Sequence, residues 1–189
     1  LRLHMPGHKG KSVLGCENLD ITEISGADVL YSASGVIKLS QQNATELFGT
    51  KKTLYSTEGA SLTIRAMLKL VEMYAKKEGR RPIIAAGRNA HKVFLTTAAL
   101  LDFEVDWLYG ENSGNLLCTK ITAEYLNEYL NKASEKPVAV YITSPDYLGN
   151  VTDIASLAAV CKQNSVLLLV DNAHCAYLKF LPNDIHPIT

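Results

Sequence analysis

The chain has little of what marks several large classes of protein. Cysteine is sparse: four residues, Cys16, Cys118, Cys161 and Cys175, stand far apart, with no CxxC and no paired Cys/His spacing. That spacing argues against a zinc site or a disulfide scaffold and fits reduced thiols in a cytoplasmic protein with no metal centre. Charge of one sign is missing too, because 19 Lys and Arg balance 19 Asp and Glu. There is no basic footprint for nucleic acid or for an anionic membrane surface. No apolar run reaches transmembrane length, and residues 1–10 are too polar for a signal peptide. No GxGxxG follows the first strand, which argues against a dinucleotide-binding Rossmann domain. Repeats and low-complexity tracts are absent as well.

What is present is alternation. Residues 166–170 (VLLLV) are apolar and end abruptly on Asp171, Ala173 and His174. Such a run predicts a strand buried on both faces of a parallel sheet. Upstream, Ile64, Met67, Leu68, Val71 and Tyr74 recur at helical spacing within a helix expected over 62–77. A strand is expected at 82–86, a helix at 91–101, and a half-buried strand at 103–108, where Phe103, Val105 and Trp107 alternate with Glu104 and Asp106. Helices at 121–132 and 153–163 and strands at 138–143 and 165–170 complete the body. Residues 1–50 are Gly- and Ser-rich, with a short helix at 41–48. The alternation predicts an α/β fold with a mostly parallel sheet and helices on both faces. The length suits one domain, an arm over 1–15 followed by a body over 16–189. The chain begins at Leu1 and ends on His186, Pro187, Ile188 and Thr189, so both ends read as cut from something longer.

Three strand ends carry polar groups. The strand at 82–86 leads into Gly87-Arg88-Asn89-Ala90-His91, that at 138–143 into Ser144-Pro145-Asp146-Tyr147-Leu148-Gly149, and the last into Asp171-Asn172-Ala173-His174. In a parallel sheet these ends share one edge, where open α/β sheets bind ligands. A fourth element, Ser56-Thr57-Glu58-Gly59-Ala60-Ser61, opens the long helix, and the N–H groups of a helix start favour a phosphate. Taken singly, each has a plainer reading as a helix start, a capping histidine or a turn. Their order and common edge favour a site.

The residues resemble a known family. His4-Met5-Pro6-Gly7-His8-Lys9-Gly10 resembles the HxPGHKGG opening of the bacterial ornithine/lysine/arginine decarboxylases, and ELFG (46–49), STEGAS, GRNAHK, TSPDYLG and VDNAH follow in the same order. The resemblance runs over nearly the whole chain. HMPGHKG and GRNAHK are specific to this family, whereas VDNAH is similar to many enzymes of the aspartate-aminotransferase fold. The resemblance implies the front part of a large domain that binds pyridoxal 5'-phosphate (PLP), with the intact enzyme a homodimer that decarboxylates lysine, ornithine or arginine in polyamine metabolism. It implies that Asp171 pairs with the pyridine nitrogen, keeping it protonated so that the ring accepts electrons from the substrate. His91 is implied to stack on the ring and His174 to lie beside it, the three forming the catalytic set. Glu58, Gly59, Ala60 and Ser61 are implied around the phosphate, and Ser144 in the neighbouring wall. The HMPGHKG opening is expected near a dimer interface or the mouth of the site.

The sequence departs from the family's pattern at Val93, where a hydroxyl residue is frequent, and at Asn172, where Glu is common; STEGAS also lacks an asparagine often seen early in the helix. Enzymes of this kind hold PLP as a Schiff base on a lysine beyond a further strand. Lys9 belongs to the arm, Lys92 is expected to point away from the ring and Lys179 to be solvated, so the chain is expected to be a fragment lacking that lysine and inactive by itself. The group that grips the substrate's distal cation stays open among Glu23, Asp28, Asp146 and residues outside the chain. Two alternatives are another enzyme of the same fold (an aminotransferase or lyase) and a non-catalytic domain that binds phosphate or a partner.

Overall fold

The computed structural model describes residues 3–22, 24–111 and 116–181, so Glu23 and the terminal residues 186–189 lie outside the described residues. The chain divides into two compact units, Leu1–Tyr55 and Ser56–Thr189. None of the described residues of the first unit is fully buried, and the core clusters are built from residues of the second.

Among its described residues the first unit contains one regular α-helix, α1, Val36–Phe48. It starts five residues before the expected helix at 41–48 because of a cap that periodicity does not reveal. The Asp28 carboxylate accepts hydrogen bonds from the backbone N–H groups of Val29, Ser34, Gly35, Ile37 and Lys38. These bonds, that from Ser34 foremost, hold the Asp28 carboxyl far below the ordinary carboxylate range. The helix ends at Gly49, whose left-handed φ of 66° closes its last turn.

The second unit follows the expected alternation: α2 (Gly59–Lys77), β1 (Ile83–Gly87), α3 (Lys92–Leu101), β2 (Glu104–Leu108), α4 (Ala123–Lys132), β3 (Ala139–Thr143), α5 (Ile154–Gln163) and β4 (Leu167–Asp171). All pairings are parallel, in the order β2-β1-β3-β4. Side chains alternate between two core clusters. Ile84, Ala86, Ala139, Tyr141 and Leu169 pack with residues of α2 and α3, while Ala85, Val140, Ile142 and Leu108 pack with residues of α4 and α5. Helices therefore cover both faces, and the α/β class read from the sequence is the fold observed.

Three expectations are corrected by the structure. Among the described residues β4 is an edge strand with Leu167 39% exposed, whereas β1 and β3 are buried throughout. The VLLLV run therefore does not lie buried on both faces. β4 also starts at Leu167 and not at 165: Ser165 adopts a φ of 57° and Val166 N donates back to Cys161 O at 2.9 Å, so both close α5. On α2 the buried face is Ile64, Leu68, Val71 and Ala75, with Tyr74 on its exposed flank. Glu72 is also buried, its charge matched by Lys69 and Lys76 one turn to either side.

Candidate functional site

The carboxyl ends of β1, β3 and β4 meet at one edge, and strand order changes direction between β1 and β3, where open α/β sheets leave a crevice. A cleft of about 200 Å³ lies there. The start of α2 lines it with Glu58, Gly59, Ala60 and Ser61. His91 follows β1, Thr143 and Tyr147 come from the end of β3, and Asp171, Ala173 and His174 from the end of β4. Seven of the eight site residues read from the sequence are thus brought together.

The start of α2 is open. Ser56 Oγ accepts from Glu58 N at 3.2 Å, but no side chain among the described residues caps the helix. Gly59 adopts a φ of 62°, and a Cβ placed on it meets nothing within 4 Å. The turn therefore calls for glycine on conformational grounds, not because a neighbour crowds it. The first N–H groups of a helix have no intrahelical partner, and 19 aligned peptide units add the positive end of a dipole. That combination suits a phosphate.

His91 sits on a tight exit from β1. A Cβ on Gly87 would lie 2.9 Å from Asn89 Oδ1, so the missing side chain makes room for the buried Asn89, and Ala90 N donates to Gly87 O at 3.0 Å. His91 then caps α3, its Nδ1 accepting from Val93 N at 3.2 Å. An accepting Nδ1 places the ring hydrogen on Nε2. The capping and cofactor readings of this histidine are compatible, since the ring that caps the helix also lines the cleft.

Register sets the centre. Thr143 pairs with Asp171 across β3 and β4, which puts both side chains on one face. Asp171 is buried; its Oδ1 accepts from Ala173 N at 3.2 Å and its Oδ2 from the Tyr141 hydroxyl at 2.7 Å. An ionised carboxylate offers about four acceptor positions, so two remain. Burial, reinforced by the Asp171 charge, pushes the Tyr141 phenol well above its ordinary value and keeps it a neutral donor. Thr143 Oγ1 is buried with no partner among the described residues. At the mouth, the Tyr147 and His174 rings meet edge to face at 5.4 Å.

Ser144 is placed differently from expectation. It is fully buried outside the cleft lining, and its Oγ accepts from Thr152 N at 3.0 Å. Strand alternation gives the cleft to its neighbour Thr143 instead. Sequence reasoning also missed Tyr141; its two-residue offset from Thr143 was the available signal. Lys92 is exposed on α3, and Lys179 is half-buried in the 3-10 turn Ala176–Phe180 rather than fully solvated. Among the described residues no lysine lines the cleft.

Two acidic candidates for a substrate cation are occupied locally. Asp28 accepts from the five N–H groups described above. Asp146 accepts from Leu148 N, Asn150 N and Asn150 Nδ2 at 2.8, 2.9 and 2.9 Å. Burial opposes ionisation of Asp146, but these bonds and the Cys118 thiol outweigh it and hold the carboxyl below its usual range. Asp146 faces a larger cleft, about 530 Å³, lined by the starts of α4 and α5. Its buried carboxylate is already saturated, and none of the eight site residues lines it, so size alone does not make it the site.

The residues present fit PLP. An uncapped helix start, a flat imidazole, a buried carboxylate with two acceptor positions open and an orphaned hydroxyl surround one cleft. The model of the Orn/Lys/Arg decarboxylase major domain matches residues 4–186. The chain is 28% identical to an arginine decarboxylase of Bacillus subtilis and 27% identical to one of Halalkalibacterium halodurans, in each case over 95% of this chain and 38% of the relative. Among solved structures, TDC of Oryza sativa with PLP superposes with a TM-score of 0.58 at 12% identity, covering 77% of this chain and 36% of that one. That likeness shows the fold, the PLP-dependent transferase large-domain type. No helix among the described residues is long and apolar enough to cross a membrane.

Proposed function

The chain belongs to the Orn/Lys/Arg decarboxylase family through its major domain, and from that premise we propose that the cleft at the strand ends is the cofactor side of a PLP site that decarboxylates a basic amino acid. The chain spans 38% of the curated relatives named above, so the activity proposed is that of the whole protein. Asp171 carries the reading: it is the buried carboxylate at the strand edge that keeps acceptor positions open, whereas Asp28 and Asp146 are saturated.

Bound there, the pyridinium ring supplies an electron sink for the pair released when the substrate's carboxylate leaves as carbon dioxide. The chain's own residues hold and polarise. Asp171 keeps a proton at the ring nitrogen, and burial strengthens that ionic contact. His91, fixed by its cap to α3, offers a flat face. The Gly59 to Ser61 turn meets the phosphate with backbone N–H groups and the Ser61 hydroxyl, while Thr143 Oγ1 gains the partner it lacks. His174 and Tyr147 border the mouth where substrate enters. The lysine that carries the cofactor and the acid that reads the distal cation are assigned to the remainder of the whole protein. A homodimer is proposed on the family resemblance and on the exposed apolar residues Val13, Leu14, Leu19 and Tyr31 of the first unit.

The test uses 4'-deoxypyridoxine 5'-phosphate, which has no aldehyde and so binds without labelling lysines. The full chain is expected to bind it, and Asp171→Asn to weaken binding by at least tenfold. Equal affinity for both proteins overturns the assignment.

A further inference from the structure

Tyr141 lies under the site, and its hydroxyl reaches the one carboxylate on which the proposed chemistry depends. Its residue is 0% exposed, and its ring packs against Phe94 at 4.6 Å, with Phe103 and Trp107 on the other edges of Phe94. The packing fixes the ring. The hydroxyl then donates to Asp171 Oδ2 at 2.7 Å, the length of a charge-assisted hydrogen bond. The geometry is diagonal in the sheet: Thr143 is the register partner of Asp171, and Tyr141 is two residues earlier on the same face.

We propose that Tyr141 is a positioning and tuning residue for Asp171, setting both the orientation of its carboxylate and how firmly it holds the proton on the ring nitrogen of the cofactor. The inference rests on the cofactor reading above. A hydrogen bond donated to Oδ2 draws electron density from the carboxylate and weakens the charge it presents to a ring nitrogen. Ala173 N acts in the same direction through Oδ1, but at 3.2 Å it is the weaker donor. The tyrosine must stay neutral to do this, and the buried setting that disfavours the phenolate ensures it. The balance has a chemical purpose. With the cofactor bound, Asp171 would keep the ring nitrogen protonated enough for the ring to serve as an electron sink, and Tyr141 would set how strongly it does so.

The measurement is the ring-nitrogen titration of bound 4'-deoxypyridoxine 5'-phosphate, read by the 15N shift of labelled ligand on the full chain. Tyr141→Phe keeps the aromatic packing and removes only the donor. Its ring nitrogen is expected to stay protonated to higher pH by about one unit, the size of one hydrogen bond to a charged group. If Tyr141→Phe does not fold, 3-fluorotyrosine placed at position 141 tests the same point with the opposite sign, since a more acidic phenol donates more strongly and lowers the titration midpoint. An unchanged midpoint with either replacement overturns the role of Tyr141, while the cofactor reading stands if Asp171→Asn still abolishes the protonated signal. Failure of the unaltered chain to bind the ligand overturns both. A change in affinity without a change in midpoint reduces Tyr141 to a packing residue and overturns the tuning claim.

Discussion

Thr143→Val separates what the cleft contributes to stability from what it contributes to binding. The substitution keeps the β-branched shape that suits a strand and removes only the hydroxyl. Thr143 is 6% exposed, and its Oγ1 is buried with no partner among the described residues. A buried polar group left unpaired costs about 1–3 kcal/mol. Valine removes that cost, so the ligand-free chain is expected to gain about 1 kcal/mol, which at this size corresponds to roughly 2–4 °C in Tm. With ligand the sign reverses. The hydroxyl then has a partner, and losing one hydrogen bond worth about 0.5–1.5 kcal/mol weakens binding roughly two- to tenfold. Thermal unfolding with and without 4'-deoxypyridoxine 5'-phosphate reads both halves. A valine variant less stable than the parent without ligand, or one that binds the ligand equally well, refutes the reasoning.

His91 has two roles that substitution can divide: His91→Ala is expected to cost about 1 kcal/mol through the lost cap of α3, whereas His91→Asn keeps the cap. Both should weaken the ligand, so an alanine variant as stable as the asparagine one in urea would contradict the capping role. Gly59→Ala introduces a side chain at a φ of 62° with open space around it, so its cost of about 1–2 kcal/mol comes from the backbone alone; urea unfolding measures it, and no loss would mean that the α2 turn is differently shaped. The carboxyl of Asp146 is held below its unfolded value of about 3.9. Its contribution is therefore complete above that pH and is lost as pH falls through the lowered folded value. Asp146→Asn is expected to lower stability at neutral pH and to make the acid limb shallower, and an unchanged acid limb by circular dichroism would contradict it.

Much of the site was legible because strand ends and helix starts are local events. VDNAH placed Asp171 at the end of β4, GRNAHK placed His91 at the start of α3, and the glycine of STEGAS marked the opening of α2. What failed depended on loop hydrogen bonds and strand order, which apolar periodicity does not carry. The early start of α1 is organised by Asp28, and the exposed flank of β4 follows from strand order. The cleft is lined by Thr143 where the sequence reading named its neighbour Ser144, and in a strand one residue changes the face.

The sequence by itself determined the α/β alternation, the family and the identity of the acidic, imidazole and glycine positions, because apolar periodicity and turn chemistry are written in neighbouring residues. Only the tertiary structure decided which polar groups remain available. Asp28 and Asp146 look like Asp171 in a string of letters, but folding surrounds the first two with donors and leaves Asp171 with two, one of them the phenol of Tyr141. Hydrogen-bond saturation depends on atoms brought together across the sheet and its loops, and on the register that pairs Thr143 with Asp171.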